Sequence, residues 1–314
     1  MDAANTRSNC WLIADIGATS GRCATFASAG NGPDNIRIYS NERYDGLVEL
    51  LADYLAGCDP RPHSLALAVA APVHGDEIHM INRDWSFSSG SLAGELGFDR
   101  VTVINDFHAI AYALPALDDS TRVEVGRATE YRGGNMAAIG PGSGLGTSAW
   151  IVSDSGGAAM TGEGGHITLS GRDQYEDQLL AQVRERFGHA SAERILSGPG
   201  LMVLHQVMHG TEIGSSEEIT QNPDDAACAA TMNQFFRFLG SAAADLALIT
   251  GAFGGVYIAG GIVPACIDQL GKSPFRQRFD DKNRYREYMQ RIPTYVITDP
   301  VPGLTGLAAM INRD

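Results

Sequence analysis

The chain has 314 residues, which exceeds the size at which a single hydrophobic core stops growing, so we expect two domains. Apolar residues make up 44% and charged residues 19%, the composition of an ordinary globular protein. The net charge of −14 argues against a partner surface of nucleic acid or anionic membrane, because both require clustered Lys and Arg. A local positive pocket for an anionic substrate is still compatible with this charge.

Cysteine usage and the N-terminal sequence indicate the compartment. The cysteines are scattered and form no Cys-x-x-Cys pair, so we expect neither a zinc site nor a disulfide framework. Reduced thiols in a cytoplasm are the simplest interpretation. The polar N-terminus lacks the apolar core of a signal peptide, and no apolar window is long enough to span a bilayer. We therefore expect a cytoplasmic protein without a membrane segment.

Two stretches share the pattern of a strand, a Gly/Ser/Thr turn and a second strand. The first spans Cys10–Phe26 with its turn at Asp15–Arg22, and the second spans Met136–Val152 with its turn at Gly140–Thr147. A P-loop or dinucleotide motif needs a helix after its glycines, so both stretches are predicted hairpins. A single Gly-rich hairpin is most often only a turn. Two of them with hydroxyl side chains indicate a duplicated phosphate-binding device that offers backbone N–H groups to anionic oxygens.

Strands and helices alternate between the two hairpins. The predicted elements are a helix over Leu47–Leu55, a strand over Leu65–Val69, a helix capped by Ser88 and ending near Gly97, and a strand over Arg100–Ile104. This alternation predicts a mostly parallel sheet. The polar stretch from Pro115 to Gly134 is predicted to be an irregular crossing between domains.

Asn105 and Asp106 follow the predicted strand Arg100–Ile104. The Asp106 carboxylate would therefore project from the C-terminal end of a strand, where open α/β sheets place their ligands. The neighbouring amide could donate to a substrate hydroxyl while the acid accepts its proton. The alternative is that both residues merely cap the helix that begins near Phe107. An Asp near its reference pKa of about 3.9 is already ionised at neutral pH, so catalysis needs no strong pKa shift.

Polar residues in three later loops are further candidates for a site. Three glycines in Gly162–His166 predict a loop that holds Glu163 and His166 at a backbone turn, although an ordinary surface turn would read the same. Glu193 is most simply a charge on a helix surface. Gly260 and Gly261 follow a predicted strand and permit close backbone approach, either by a flat ligand or by a packed helix.

The second half contains more helix than the first. Its predicted elements are a helix over Tyr175–Phe187, a turn at Ser197–Gly200, a core helix over Asp224–Gly251, a charged surface helix over Phe275–Met289, a strand over Val296–Thr298 and a helix over Pro302–Ile311.

Taken together, these stretches resemble the bacterial glucokinase family, within the actin, Hsp70 and hexokinase-like superfamily of ATP-binding folds. The segments that carry the resemblance are Asp15–Thr19, Ile104–Phe107, Gly140–Gly146, Gly162–His166, Ser191–Gly200 and Ile258–Ile262. They occur in the family's order and cover most of the chain. The resemblance implies an α/β, two-domain actin-like/hexokinase (ribonuclease H-like) fold with an interdomain cleft. We expect a small α/β domain over residues 1–115, to which a C-terminal helix over about 303–314 returns, and a large α/β domain over 116–302.

The resemblance also implies roles for individual residues. Asp106 corresponds to the catalytic base, and Asn105, Glu163, His166 and Glu193 correspond to residues that hydrogen-bond the sugar ring. Asp15 corresponds to a residue that positions Mg²⁺ through water, since Mg²⁺ sheds its hydration shell reluctantly. The positions implied to bind ATP are Gly17, Ala18, Thr19 and Ser20 in the first hairpin, Gly142, Ser143, Gly144 and Gly146 in the second, and Gly260 and Gly261 beside the adenosine.

Two residues in the first hairpin depart from the family pattern. Ala18 and Ser20 stand where the family usually has Gly and Asn, so sugar preference and catalytic rate are the properties that these changes affect. The related kinases of glycerol and pentuloses use Thr-Ser in this loop, which predicts that phosphate binding survives. The zinc-binding cysteine motif of the neighbouring ROK sugar kinases is absent from the sequence.

The expected function is therefore an ATP-dependent glucokinase that forms glucose 6-phosphate, with ATP and Mg²⁺ as cofactors and D-glucose as the substrate. The alternatives are a kinase of another hexose or amino sugar on the same fold, or a catalytically weak sugar or nucleotide sensor. An intact Asp106 beside Glu163 and His166 argues against the sensor. The family resemblance further implies a homodimer, and the net charge of −14 again argues against a nucleic-acid or membrane partner.

Overall fold

The computed structural model describes residues 10–27, 32–80, 84–154 and 156–313. The described residues up to Ala116, together with those from Pro300 onward, form one compact unit, and those of Leu117–Asp299 form a second. We refer to them as the first and second units.

The strands are β1 (Cys10–Ile16), β2 (Ser20–Ala27), β3 (Asp34–Ser40), β4 (Ser64–Val69), β5 (Glu77–His79), β6 (Ser86–Ser88), β7 (Arg100–Asn105), β8 (Arg122–Glu124), β9 (Met136–Pro141), β10 (Leu145–Ile151), β11 (Ala158–Gly162), β12 (Gly255–Ile258) and β13 (Thr294–Ile297). The helices are α1 (Leu47–Ala56), α2 (Ser89–Leu96), α3 (Asp106–Ala113), α4 (Gln174–Phe187), α5 (Gly198–His209), α6 (Ser216–Gln221), α7 (Ala226–Thr250), α8 (Ile262–Ala265), α9 (Ile267–Lys272), α10 (Phe275–Asp280), α11 (Arg286–Gln290) and α12 (Pro302–Ile311).

The sheet of the first unit has the strand order β3-β2-β1-β4-β7. The predicted hairpin is confirmed, because β1 and β2 pair antiparallel, whereas β1, β4 and β7 run parallel. Val69 of β4 pairs with Ile16 on one side and with Asn105 on the other. The C-terminal ends of β1 and β7 therefore lie level at one edge of the sheet.

Two helical layers cover the sheet of the first unit. Helices α1 and α2 bury one set of apolar side chains, which includes Leu50 and Leu92, against one face. Helices α3 and α12 pack on the other face through Ala109, Leu304 and Leu307. Helix α2 begins with the predicted Ser88 cap, whose hydroxyl accepts from the Ser91 N–H at 3.0 Å. The C-terminal helix α12 is therefore part of the first unit, on the same layer as the helix that starts at Asp106.

The sheet of the second unit has the order β11-β10-β9-β12-β13-β8. Its second predicted hairpin is confirmed by the antiparallel pairing of β9 with β10. The prediction that Pro115 to Gly134 is wholly irregular is wrong, because Arg122–Glu124 forms β8 and pairs with β13. Three residues are too few to produce a recognisable alternation in the sequence.

The predicted core helix is confirmed as α7, whose N-terminus is capped by Asp225 and which ends at Gly251 in the left-handed region. Ser197–Gly200 is not a separate turn. Ser197 caps α5, and its hydroxyl accepts from the Gly200 N–H at 3.0 Å. A proline in the first helical turn is compatible with a helix start, because that N–H has no partner within the helix.

The predicted surface helix over Phe275–Met289 is wrong as one continuous helix, and its first half is not at the surface. It is two short helices, α10 and α11, separated by a 3-10 turn, and Phe275, Phe279 and Met289 are fully buried. Its charged composition suggested a solvent-exposed helix, but Arg278 is itself buried and paired with the buried Glu176. Sequence patterns assign charged residues to the surface, so they do not predict a charged residue that is buried and paired.

This buried ion pair holds α10 against α4. The Arg278 Nη1 lies 3.0 Å from Glu176 Oε2, and its Nη2 donates to Oε1. Gln234 of α7 donates to the same Oε1 at 2.9 Å. Charges out of water are stable only when they are paired and fully hydrogen-bonded, so these three side chains act as one structural unit.

No helix in the described ranges is long and apolar enough to cross a bilayer.

Removing the Arg278 side chain should destabilise the second unit strongly. Arg278→Ala leaves Glu176 buried without its cation, and we expect a loss of about 3 to 5 kcal/mol in the free energy of unfolding, measured by urea denaturation. Arg172→Ala is the matched control, because its ion pair with Asp281 is 55% exposed on the arginine side. That variant should lose less than about 1 kcal/mol. Equal losses in the two variants would contradict the structural role of the buried pair.

Candidate active site

Two carboxylates lie at the carboxyl ends of parallel strands in the first unit. Asp15 is the penultimate residue of β1, and Asp106 is the first residue of α3, directly after β7. The level ends of β1 and β7 place both at the same sheet edge. Arg22 on β2 is the register partner of Asp15, and its Nη1 lies 3.8 Å from Asp15 Oδ2. This edge thus holds two acids and one cation.

Asn105 does cap α3, as the simpler interpretation expected. Its Oδ1 accepts from the Phe107 N–H at 2.9 Å, and its Nδ2 donates to the Ala71 carbonyl at 3.1 Å. The two bonds fix the plane of the amide. A primary amide has two N–H donors and an oxygen that accepts twice, so a capping amide can still bind a ligand. The cap and the sugar-binding role are compatible in one side chain.

The pKa of Asp106 is raised to about 7, which corrects the expectation that this acid needs no strong shift. Burial is the main cause, because a low-dielectric environment disfavours the charged form, and the nearby Asp15 carboxylate adds to it. The Phe107 N–H, which donates to Asp106 Oδ1 at 2.9 Å, opposes the shift. Burial likewise raises the pKa of Asp15, against the attraction of Arg22.

The tip of the first hairpin is held by a residue that the sequence analysis missed. Asn41 is fully buried; its Nδ2 donates to the Gly17 carbonyl at 2.9 Å and its N–H donates to the Thr19 carbonyl at 3.0 Å. The Gly17 N–H closes the turn on the Ser20 carbonyl at 3.0 Å, whereas Thr19 is exposed at the tip. A lone asparagine after an exposed strand carries no signal of this role. The loop is thus rigidly supported from beneath.

Glu193 is not the helix surface charge that its simplest interpretation suggested. It lies in a turn between α4 and α5 and is half-buried, and its Oε2 accepts from the Leu145 N–H at 3.0 Å. A Cβ on Gly144 would lie 2.6 Å from the same oxygen, so this glycine is required for the contact. Glu193 therefore joins the second hairpin directly.

The three motifs of the second unit form one network around Glu193. The Glu193 N–H donates to the Gly165 carbonyl at 2.8 Å, and the Ser197 hydroxyl donates to the Glu193 carbonyl at 2.8 Å. The Gly198 N–H donates to the Gly142 carbonyl at 2.8 Å. The structure thus brings together three segments that are far apart in sequence: the hairpin tip, the Gly-rich loop and the start of α5.

Glu163 precedes a 3-10 turn over Gly164–His166 and His166 ends it, and both residues are exposed. The His166 N–H donates to the Glu163 carbonyl at 3.0 Å. Gly165 is buried within this turn, where a Cβ would lie 2.1 Å from the Leu145 carbonyl oxygen. The glycine lets the loop sit on the hairpin, and the two polar side chains project from it, free to meet a ligand.

The paired glycines after β12 are compatible with both roles that the sequence left open. Gly260 has φ +82°, and a Cβ there would lie 2.2 Å from the Pro141 carbonyl oxygen, so it serves close backbone packing. Gly261 is exposed, with open space where a Cβ would lie. Gly260 is exposed as well, so both glycines leave their backbone open to a flat ligand.

A pocket of about 530 Å³ opens beside Glu193 and Ser143 in the second unit. Its wall includes Phe187, over whose ring the guanidinium groups of Arg186 and Arg194 lie at 5.1 Å and 4.5 Å from the centroid. The sequence analysis did not single out this pocket, because its walls come from α4, α5 and three loops.

Comparison with known proteins gives one consistent family. The sequence model described as Glucokinase matches residues 12–314. A glucokinase of Aromatoleum aromaticum is 42% identical, over 96% of this chain and 94% of the relative. A glucokinase of Photorhabdus laumondii is 37% identical over 96% and 97%. The crystal structure of a glucokinase from an Antarctic psychrotroph is 32% identical, superimposes with a TM-score of 0.86, and covers 98% of this chain and 99% of its own.

The raised pKa of Asp106 predicts a pH-dependent cost in stability. Its pKa is about 7 in the folded chain and about 3.9 when unfolded, so its contribution falls as pH rises from about 4 through 7. At pH 8 we expect Asp106→Asn to be more stable than the wild type, by up to about 4 kcal/mol, in thermal and urea unfolding. The gain should disappear near pH 4.

Asp99→Asn is the matched control, because Asp99 precedes β7 at its opposite end and is exposed. It should show no such pH-dependent gain. A wild type as stable as Asp106→Asn at pH 8 would contradict the burial of an ionised carboxylate at position 106.

Proposed function

The chain belongs to the glucokinase family, a family of sugar kinases, and on that premise we propose how its residues carry out the ATP-dependent phosphorylation of glucose. The reaction transfers the γ-phosphoryl group of ATP to the 6-hydroxyl of D-glucose and gives glucose 6-phosphate and ADP. The observation that supports the assignment of roles best is the partly buried Asp106 carboxylate, which stands at the carboxyl end of a strand with a pKa of about 7.

Asp106 is the general base of this proposal. The Phe107 N–H binds its Oδ1 and fixes the direction of the carboxylate. The other oxygen of the Asp106 carboxylate accepts the proton of the sugar 6-hydroxyl. At the same time the hydroxyl oxygen of the sugar bonds to the γ-phosphorus, and the bond between the γ-phosphorus and the β–γ bridging oxygen breaks. A base with a pKa near the working pH combines a substantial ionised fraction with a useful affinity for the proton. Burial thus gives Asp106 a basicity that an exposed aspartate lacks.

Asp15 is the residue that we assign to Mg²⁺, through water. Its carboxylate oxygens are the hard ligands that Mg²⁺ prefers. Burial raises the pKa of Asp15, and a nearby cation would lower the cost of the buried negative charge. Mg²⁺ bound with ATP supplies charge neutralisation for the transferred phosphoryl group. Arg22, 3.8 Å from Asp15, holds the carboxylate toward β2.

The sugar-binding residues of the second unit are Glu163, His166 and Glu193, and Asn105 of the first unit is assigned to the same ligand. A pyranose presents hydroxyls that both donate and accept, and this set of acids, amide and imidazole can meet both modes. A sugar epimer would leave one of these polar groups unpaired once the sugar covers it, which costs about 1 to 3 kcal/mol. Glucose as the substrate is supported by the family to which the chain belongs.

The hairpin tips, Gly260 and Gly261 are assigned to ATP. Thr19 and Ser20 at the first tip and Ser143 at the second offer hydroxyl groups to phosphate oxygens, while Gly261 offers an open backbone surface to adenosine. Ser20 adds a second hydroxyl next to that of Thr19 in this loop. We also propose, from the family resemblance, that the chain works in the cytoplasm as a homodimer, which size-exclusion chromatography with light scattering would test.

Removing the base should separate catalysis from binding. Against a panel of hexoses with Mg-ATP, we expect turnover on glucose, and we expect Asp106→Ala to lower kcat by about 10²- to 10⁴-fold while calorimetry still detects glucose binding. Asp99→Asn, the exposed control, should keep wild-type kcat. Unchanged turnover in Asp106→Ala would overturn the assignment of the base. Turnover on a different hexose would change the substrate assignment but not the proposed role of Asp106.

The pH profile should report the same group. Because Asp106 must be ionised to accept a proton, kcat/KM should fall as pH decreases below about 7. A profile that stays flat between pH 8 and pH 5 would contradict the proposal that Asp106 titrates near 7.

Glu193 has two roles, and its removal should affect both substrates. Glu193→Ala deletes a sugar ligand and also the acceptor of the Leu145 N–H, so we expect KM to rise about 10- to 100-fold for glucose and to rise for ATP as well. His166→Ala is the matched comparison, because its exposed side chain is not part of the hairpin network. It should raise the KM for glucose alone. An unchanged KM for ATP in Glu193→Ala would contradict the coupling through the hairpin.

A further inference from the structure

The first turn of the C-terminal helix α12 crosses the Asp15 carboxylate at Gly303. A Cβ on Gly303 would lie 2.5 Å from Asp15 Oδ2, 2.6 Å from its Cγ and 3.1 Å from its Cβ. Real Cβ contacts are essentially never shorter than 3.0 Å. Any side chain at position 303 therefore requires either the carboxylate or the helix to move.

The helix cannot move away without a larger disruption. Three residues later, a Cβ on Gly306 would lie 1.8 Å from the Ala109 carbonyl oxygen. The two helix backbones thus touch at this point, and Ala109 belongs to α3, the helix that begins with Asp106. Interiors are close-packed, so α12 has no spare space in which to shift. The second glycine fixes the distance at which the first one meets Asp15.

The backbone of Asp15 is equally constrained. Asp15 is near the C-terminal end of β1, the central strand of the sheet, and pairs with Arg22 of β2 and Ala68 of β4. Its neighbours Ala14 and Ile16 are fully buried. The movable part is the carboxylate, which can rotate about the Cα–Cβ bond to another staggered position. A side chain at position 303 would thus displace the functional group and leave the strand in place.

Local conformation does not explain the choice of glycine at position 303. Gly303 is within α12 and is not among the described glycines with a positive φ, so its backbone suits any L-residue. Gly303 is in the first turn of α12, and alanine is a better helix former than glycine. The glycine is therefore unfavourable for the helix by itself, and the close approach to Asp15 is the feature of the structure that requires it.

We propose that Gly303 is a positioning residue for phosphoryl transfer: its missing side chain lets the Asp15 carboxylate stay at the sheet edge shared with Asp106. The proposal rests on the function proposed above, in which Asp15 positions Mg²⁺ and Asp106 is the base. It assigns to the C-terminal helix a direct part in shaping the site, since α12 contacts Asp15 through Gly303 and the Asp106 helix through Gly306.

The kinetic test is Gly303→Ala beside Gly94→Ala. Gly94 is an exposed glycine inside helix α2 of the same unit, with open space where a Cβ would lie, so it receives the same chemical change without a contact. We expect Gly303→Ala to lose about 100-fold in kcat, as a small misplacement of a catalytic group does, and to need more Mg²⁺ for half-maximal rate. Glucose affinity by calorimetry should stay within twofold of the wild type. Wild-type kcat and Mg²⁺ dependence in Gly303→Ala would overturn the proposal.

A double-variant cycle tests the contact without any activity measurement. In the wild-type background, Gly303→Ala should lower Tm or leave it unchanged, because the gain in helix propensity is offset by the clash. In the Asp15→Ala background the contacts at 2.5 Å and 2.6 Å are removed and only the 3.1 Å approach to Cβ of residue 15 remains, so Gly303→Ala should change Tm more favourably there than in the wild type. The same change in Tm in both backgrounds would show that a side chain at position 303 does not contact Asp15, and would overturn the proposal.

Two further results separate the proposals from each other. If Gly303→Ala alone fails to fold while the double variant with Asp15→Ala folds, the clash is supported. Weakened binding of Mg-ADP in Gly303→Ala, with no further weakening when it is added to Asp15→Ala, supports positioning of the metal ligand. A wild-type protein that phosphorylates no hexose would sink the proposed function, whereas the Tm cycle would still report on the contact between Gly303 and Asp15.

Discussion

The Asp15 and Asp106 carboxylates share one edge of a sheet, and burial disfavours the ionised form of each. Each negative charge makes the other more costly, and Arg22 at 3.8 Å only partly offsets the pair. The two carboxylates come together because the C-terminal ends of β1 and β7 lie level on either side of β4. Two carboxylates whose ionised forms are disfavoured attract a cation, and they are also more basic than exposed carboxylates. Phosphoryl transfer to a hydroxyl needs both a cation and a base.

Glu193 has the corresponding central place in the second unit. Through its side chain, its N–H and its carbonyl it binds the hairpin, the Gly-rich loop and the capping serine of α5. A single acid therefore aligns the phosphate hairpin with the residues assigned to the sugar. One of its carboxylate oxygens is committed to the Leu145 N–H, so the other is the acceptor that it can offer to a ligand. Sugar recognition and hairpin geometry are consequently not independent in this unit.

The elements that the sequence predicted well are those with a strong local signal. Both hairpins, the helices α1, α7 and α12, and the strand before Asp106 follow from apolar periodicity and from glycine or serine at their ends. The failures share a different cause. Strand β8 is too short to show a pattern, and the segment over Phe275–Met289 conceals its burial behind a charged composition because Arg278 is paired inside the core. The sequence also predicted the motifs of the candidate site. The support from Asn41 and the raised pKa of Asp106 could not be predicted, because they depend on contacts between residues that are distant in sequence.

The glycines show the limit of motif reading most clearly. A Gly-rich turn suggests backbone N–H groups that await phosphate, yet the Gly17 and Gly142 N–H groups already bind carbonyls within their own turns. Gly144, Gly165 and Gly260 are required because a Cβ would strike Glu193, Leu145 or Pro141. Much of the glycine in these motifs therefore serves to bring polar side chains and backbones close together. The ligand then meets a surface whose shape is set by packing, and it is this shape, more than a count of free N–H groups, that the motifs encode.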